Sequence, residues 1–471
     1  MKNNIGRSIL LCFLASMIFI QVLAQGSQKP DSSSKPSNNS WRVGVARAVI
    51  TPEDNLWLAG FASREKPAEG KLHDLWVKAL AVEDAHGTRA LIVTTDIIGY
   101  SRELSQAICN RLTKELKLER KNIILSASHT HSCAEVNKNL FGIYPPFSDE
   151  MAKKIHANIR ITEDKIVNCA KQAFTKLEPA KISSGIGIAR FAVNRRNNKA
   201  EDVLNSPDLA GPSDYTVPVF SITSPDGNPK ALLFGYACHA TTLTGYLYSG
   251  DYPGFAQIDL EKAFPGTTAM FFAGCGADQN GYPRGTVPLA EQFGNELSVA
   301  VQRVLKEEMK ELSPELKTSY NEISLAFSKP LSIEELNKII ETAHPYQQRW
   351  ATGLKNKIQG GEKIPETYPY YPVQTWQLGG QLLVALGGEV VVDYAIRIKK
   401  SWGNDLFIAG YSNDVMAYIP SVRVLKEGGY EGDYSMHAYG QPSTWTPEIE
   451  EIIIAEVGRQ LEILKDSGTA K

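Results

Sequence analysis

His129 and His131 stand one residue apart in Ser126-Ala127-Ser128-His129-Thr130-His131-Ser132, directly after the apolar run Ile123-Ile124-Leu125. Imidazole nitrogens are good zinc donors, and residues at i and i+2 of an extended strand point the same way, so one or both can reach one ion. Alone, this spacing does not separate a metal site from hydrogen-bonded loop histidines. Two further residues repeat the pattern. His239 ends the apolar run 231–238, and Glu389 follows the run 382–386 through Gly387-Gly388. Two neutral imidazoles and one carboxylate are the ligand set of a catalytic zinc, with a position left for water.

The elements that must position these groups read as alternating strands and helices. Strands are expected at 41–51, 75–82 and 90–95, then a helix from Ser101, with Glu103 in its first turn and Leu104, Ile108 and Leu112 on one face. The His129 strand comes next, followed by a long helix over 149–177 and strands at 181–188, 217–222 and 231–238. Helices are expected at 255–263 and 289–309, flanking a buried strand at 269–273 that closes in Gly274-Cys275-Gly276-Ala277-Asp278. Beyond 312 the pattern is less regular. It gives a strand near 319–326, a helix at 333–343, a Tyr/Pro-rich loop through 368–372 and a strand at 382–386. A helix at 390–402, a strand at 406–409, a long loop over 411–439 and a closing helix over 446–464 complete the chain. This order predicts an α/β fold, a mixed β-sheet core flanked by helices. In open α/β sheets, sites collect beyond the carboxyl ends of the strands, which is where the histidines fall.

The 471 residues are 43% hydrophobic and 22% charged with a net charge of −2, which excludes a nucleic-acid footprint and a polybasic membrane patch. Lys2 and Arg7 precede an apolar run to Leu23, and Val22-Leu23-Ala24 supplies a cleavage box. Residues 1–24 therefore read as a signal peptide cut after Ala24, and the protein as secreted or periplasmic, with no integral membrane segment once the signal is removed. Residues 25–40, rich in Ser, Pro, Asn, Gln and Lys, read as a disordered tether, and 41–471 as one domain. Five scattered cysteines remain after the signal, an odd number that makes no disulfide framework.

Ser126-Ala127-Ser128-His129-Thr130-His131-Ser132 resembles the Ser-x-Thr-His-Thr-His-Ser of neutral/alkaline non-lysosomal ceramidases. Other stretches are similar in the family's order: 42–51, Asn194-Arg195, Cys238-His239-Ala240-Thr241 with Ser249-Gly250-Asp251, Gly387-Gly388-Glu389, and Asn413 to Tyr418 with Tyr430-Glu431-Gly432 and Tyr439-Gly440 behind it. The resemblance implies the family's catalytic fold, zinc held by His129, His239, Glu389 and Tyr418, His131 facing the substrate carbonyl, and Arg195 close by. His131 as a partner orienting His129, and Tyr418 as an ordinary loop aromatic, are the competing readings. The chain departs from the family where Asp278 stands in place of a serine that takes part in amide cleavage, and where Cys133-Ala134-Glu135 replaces a glycine-rich stretch. It also ends after one closing helix, without the family's immunoglobulin-like domain.

The resemblance implies a zinc-dependent amidohydrolase acting on a small-molecule or lipid N-acyl substrate, with Asp278 or a histidine as base in place of the serine. A turn-capping Asp278 is the plainer alternative. Other readings are an ester or sugar hydrolase using Asp278 and Glu135, with Tyr368, Tyr370, Tyr371 and Trp376 as a stacking surface, or a non-catalytic binding homologue. A thiol nucleophile at Cys133 or Cys275 is a weaker idea still.

Overall fold

Alternation explains the first strand. In Trp41–Val49 the side chains of Trp41 and Val43 turn inward while Arg42 and Val45 stay half-covered, and the strand pairs antiparallel with Trp76–Glu83, Val43 opposite Val82. The computed structural model describes residues 40–199 and 202–466, so the expected signal peptide and residues 25–39 of the expected tether lie outside the described residues.

Eight strands follow one another across the main sheet in the order Thr268–Ala273, Pro229–Tyr236, Thr216–Thr223, Glu178–Ile188, Trp41–Val49, Trp76–Glu83, Arg89–Thr95, Ile123–Ala127. Lys310–Glu311 adds a ninth beside Glu178–Ile188. The pairs at the two ends are parallel and those between are antiparallel. One face, with Val77, Ala79, Leu91 and Val93, packs under helix Asp149–Thr175. The other, with Val82, Ile92, Phe220 and Leu233, packs on a second sheet through Trp376, Leu383 and Phe407. That second sheet has the order Leu316–Ala326, Thr367–Leu378, Gln381–Leu386, Phe407–Ala409, and helix Ile449–Asp466 covers its outer side. The result is four layers: helices, sheet, sheet, helices. Two sheets stand where one was expected, and Glu389 follows a strand of the second.

The order of the main sheet poses a problem for the site. The strands that lead into His129 and His239 are six positions apart, about 29 Å in a flat sheet at roughly 4.8 Å per strand. The sheet instead curls until its edges approach. The segment after Phe407–Ala409 ties them together: Gly410 N–H donates to Ala273 O at 2.9 Å, Ala127 N–H to Tyr411 O at 3.3 Å and Asn413 N–H to Leu125 O at 2.7 Å. Right-handed twist accumulated over many strands supplies the curl.

Several expectations beyond residue 312 are corrected. The Tyr/Pro-rich stretch is the first half of strand Thr367–Leu378 and pairs with Leu316–Ala326. Pro369 and Pro372 are tolerated because that half is an edge, the partner Gln381–Leu386 beginning only at Val373. Helix Pro345–Gln359 was not expected; Pro345 opens it, at a position where proline costs no hydrogen bond. The expected 411–439 loop contains helix Val422–Glu427 and the turns Tyr430–Tyr434 and Ser435–Ala438. Arg195 and Arg196 lie on strand Ala192–Lys199. Among the described residues no helix is long and apolar enough to cross a membrane, and all five cysteines are free and buried.

The loops after Pro229–Tyr236 and Thr268–Ala273 touch backbone to backbone. A Cβ on Gly276 would stand 2.4 Å from Cys238 N and 2.6 Å from Ala237 C. Gly276→Ala should therefore lower stability by about 1–3 kcal/mol, as overpacking does. A urea midpoint equal to that of the wild type would show that these loops have room to part.

Candidate metal centre

His129 lies two residues past the end of strand Ile123–Ala127 in left-handed backbone, φ +59°, a region that residues other than glycine rarely enter. The two histidines therefore do not project from one extended strand, as the i, i+2 argument supposed. A turn aims them instead. His129 N–H donates to Ile97 O at 3.1 Å, and His131 N–H to Ala240 O at 3.2 Å. His239 leaves its own strand end with its N–H on Gln279 O at 2.9 Å. Glu389 sits directly opposite Tyr418 in the short parallel ladder between Glu389–Val390 and Tyr418–Ile419.

These turns bring the side chains to one point. His129 Nε2 is 3.2 Å from His239 Nε2 and 3.2 Å from His131 Nε2. Glu389 Oε2 is 3.1 Å from His129 Nε2 and 3.2 Å from His239 Nε2. Tyr418 Oη is 3.4 Å from His239 Nε2. Ligands about 2.0–2.1 Å from a tetrahedral zinc ion stand roughly 3.3–3.4 Å apart, so the spacing fits that ion.

The other ring nitrogens show which atoms are free to ligate. His129 Nδ1 lies 2.5 Å from Ile98 O and His239 Nδ1 3.1 Å from Gly276 O. A carbonyl only accepts, so Nδ1 carries the proton in both rings and Nε2 presents a lone pair inward. Glu389 Oε2 has no hydrogen-bond donor, while its Oε1 accepts from Tyr439 Oη at 2.5 Å. Two lone pairs and a carboxylate oxygen aimed at one another repel unless a cation lies among them. The donor set fits a metal. His131 differs: its Nδ1 is buried without a partner, against Gly60, where a Cβ would come within 2.2 Å of it. No acceptor fixes its tautomer, which distinguishes it from the two anchored rings.

Burial lowers the pKa of His239 to about 4 and that of His131 well below its usual value, so both rings are neutral at neutral pH. Tyr418 is held protonated by burial and by Glu389, opposed by Arg195. The Arg195 guanidinium donates to Tyr418 Oη at 3.0 Å and to Glu431 Oε1 at 2.6 Å, and Glu431 Oε2 accepts from Arg196 at 2.6 Å.

The three histidines, Glu389 and Tyr418 are thus brought together, with Arg195 directly behind Tyr418. Asp278 is not. It is fully buried, with Oδ1 accepting Val392 N–H at 2.8 Å and Oδ2 accepting from Asn194 Nδ2 at 3.1 Å. It caps helix Val392–Trp402, which starts just after Glu389, and so stands behind the ligands in a positioning place. Both oxygens of Asp278 are taken by these distant donors, neither of them in its own turn, and the residue does not line the cavity at the centre. Glu135 is likewise withdrawn, its carboxylate on Asn137 N–H and Tyr144 Oη, both at 2.7 Å. Burial raises the thiol pKa values of Cys133 and Cys275, against any thiolate nucleophile.

A cavity of about 210 Å³ opens on the site, lined by Phe61, Ile98, Leu140, Ile143 and the rings of Tyr346 and Tyr430, among others; Asp278, Glu135 and Arg195 do not line it. Tyr371 and Trp376 are in the core, while Tyr368 and Tyr370 line a different groove, so none of these four rings faces the centre. Sequence reasoning assigned no role to Tyr439, Glu431 or the Gly60-Phe61 wall. The first two fall in the Tyr-Glu-Gly and Tyr-Gly stretches that carried the family resemblance. Nothing near Gly60 marks it.

Comparison with known proteins places this geometry. The family model described as neutral/alkaline non-lysosomal ceramidase, N-terminal, matches residues 41–282. A crystal structure of neutral ceramidase from Pseudomonas aeruginosa is similar in fold, with a TM-score of 0.70, 19% identity, and coverage of 91% of this chain and 75% of that one. A structure titled as ceramidase complexed with C2 is similar at a TM-score of 0.69 and 18% identity, covering 91% and 76% of the two chains.

Burial raises the Glu135 pKa to about 7. Between about pH 4.5 and 7 the folded state keeps a proton that the unfolded state has lost, so this group makes stability fall as pH rises. Glu135→Gln, which mimics the protonated form, should gain roughly 2–3 kcal/mol on the wild type between pH 4.5 and 8. Urea unfolding at both pH values checks this, and a pH-independent difference refutes it.

Proposed function

The chain belongs to the neutral/alkaline non-lysosomal ceramidase family, and on that premise we propose that it is an exported zinc-dependent hydrolase that cleaves the amide bond of an N-acyl substrate. The observation that carries the reading is the meeting of His129 Nε2, His239 Nε2 and Glu389 Oε2 within 3.2 Å of one another, with Tyr418 Oη beside them. These four would hold the ion. Bound zinc supplies Lewis acidity toward a carbonyl oxygen and a water of lowered pKa.

The chain's own groups divide the remaining work. Arg195, 3.0 Å from Tyr418 Oη, favours the phenolate that a metal ligand must be. His131 is the titratable cavity group left beside the ligands and the tyrosines. With the proton on Nε2 it donates a hydrogen bond to the substrate carbonyl. Because Nδ1 is unanchored, the ring can also take up the proton that the attacking water loses as the C–O bond forms and pass it to the departing amine as the C–N bond breaks, giving a carboxylate and an amine. Asp278 acts at one remove, holding the helix start behind Glu389 and the Asn194 side chain next to Arg195.

The lining supports one substrate reading over the others. Apolar side chains and tyrosines surround the site with no Asp, Lys, Arg or Trp among them, which favours an acyl group over a sugar. The two carboxylates that a sugar hydrolase would have used are both elsewhere. Likeness to a neutral ceramidase supports an N-acylated lipid as the substrate class. The apolar run before Ala24 supports export.

Metal analysis of the purified protein, paired with hydrolysis of N-acyl and glycosidic substrates before and after chelation, tests the reading. Zinc near one equivalent, activity lost to chelator and restored by zinc, is expected. His239→Ala should lose both metal and activity, and full activity in that variant would defeat the assignment. His131→Ala should keep the metal and lose about 10²–10⁴-fold in turnover, the range of general acid–base catalysis; loss of metal there would make His131 a ligand.

A further inference from the structure

Helices Ile333–Thr342 and Pro345–Gln359 form a hairpin between strands Leu316–Ala326 and Thr367–Leu378. It has an apolar centre of its own, with Leu336, Ala351 and Leu354 buried together. One face of the second helix points elsewhere. Tyr346 lines the catalytic cavity, while Trp350, Gly353 and Lys357 line a separate groove of about 440 Å³. Their spacing of four, three and four residues is a single helical stripe, about 16 Å long at 1.5 Å per residue.

The facing wall runs the same way. Ala438 and Tyr439 line the cavity, and the next residues, Gly440 to Pro442, line the groove. Trp350 ties the two walls together: its ring stacks on His437 with centroids 3.7 Å apart, and its Nε1 donates to Gln441 O at 2.8 Å. Phe327, Ile364, Pro365 and Tyr368 give the groove an apolar, aromatic floor. At about 210 Å³ the catalytic cavity is smaller than the roughly 300–1,000 Å³ of ordinary ligand pockets, so it holds the reacting end of a substrate and little more.

We infer that the groove along helix Pro345–Gln359 binds the distal part of a long alkyl chain whose carbonyl end lies at the metal centre, and that Trp350 and Gly353 set the acyl length the enzyme prefers. The inference rests on the reading of the site as an N-acyl hydrolase. Two walls that continue without a break in sequence from cavity to groove commit it to this occupant, one chain spanning both. Apolar lining gives such a chain its free energy through burial of methylenes, about 0.8 kcal/mol each.

Gly353 offers a test that spares the fold. A Cβ there meets nothing within 4 Å, so a larger side chain fills the groove without striking the backbone, and phenylalanine is no worse a helix former than glycine. In Gly353→Phe, kcat/KM on an N-palmitoyl substrate should fall at least about tenfold, while an N-acetyl analogue is cleaved at the wild-type rate. Gly353→Ala, which adds little bulk, should keep both rates. Equal rates for Gly353→Phe and wild type on the palmitoyl substrate would overturn the groove assignment and leave the hydrolase reading standing. Calorimetric titration with palmitate separates the two: binding by the wild type, lost in Gly353→Phe, upholds the groove even if no N-acyl substrate is cleaved. Absence of both binding and palmitoyl cleavage removes it.

Discussion

Closure of the main sheet is the constraint on which everything else rests. His129 and His239 leave strands six places apart, yet their Nε2 atoms are 3.2 Å from one another. No side chain spans the distance that a flat sheet would impose. The edges are drawn in by three backbone hydrogen bonds from the Gly410–Asn413 segment, which itself extends a strand of the second sheet. The same segment leads to Tyr418, and Glu389 enters from the neighbouring strand of that sheet. The centre is therefore a joint between two sheets as well as a cluster of donors. Loosening either sheet moves some ligands and not others.

Around this joint the protein tolerates features that isolated elements avoid. His129, Asp251, Tyr411 and Asn413 all adopt positive φ without being glycine, each at a cost of order 1–3 kcal/mol that surrounding packing must offset. Glu431 is buried between Arg195 and Arg196. A buried pair of this kind is poor evidence of net stabilisation, but removal of Glu431 would leave two guanidiniums without their carboxylate. What the arrangement secures is direction: Arg195 is held against Tyr418 by contacts on its other nitrogens, and the Tyr439 hydroxyl leaves one oxygen of Glu389 for the centre.

The parts readable in sequence were those with short-range signals. Apolar runs ending in small or polar residues marked the strands behind His129, His239 and Glu389, and Ser101 marked a helix start, its side chain accepting Leu104 N–H. Tyr418 was reached through its place in an ordered set of family stretches and through no local pattern. What escaped depends on distant partners. Asp278 looks like an acid at the end of a strand, and only the fold shows its oxygen capping a helix that begins 114 residues later. The Tyr/Pro-rich stretch is a strand because one partner strand tolerates prolines on its open side. Gly60 carries no sign that it abuts His131. The left-handed turn at His129 has no local mark either, and it is this turn, and no extended strand, that aims the ring.

The helical hairpin interrupts a single antiparallel strand pair and has an apolar centre of its own around Leu336, Ala351 and Leu354. Its buried centre can be recomposed while the strands on either side keep their register, provided Tyr346 and Trp350 keep their places beside the cavity. Reaction chemistry and molecular reach are written in separable stretches of the chain. Drift in one can retune which molecules are accepted without relearning how to break the bond.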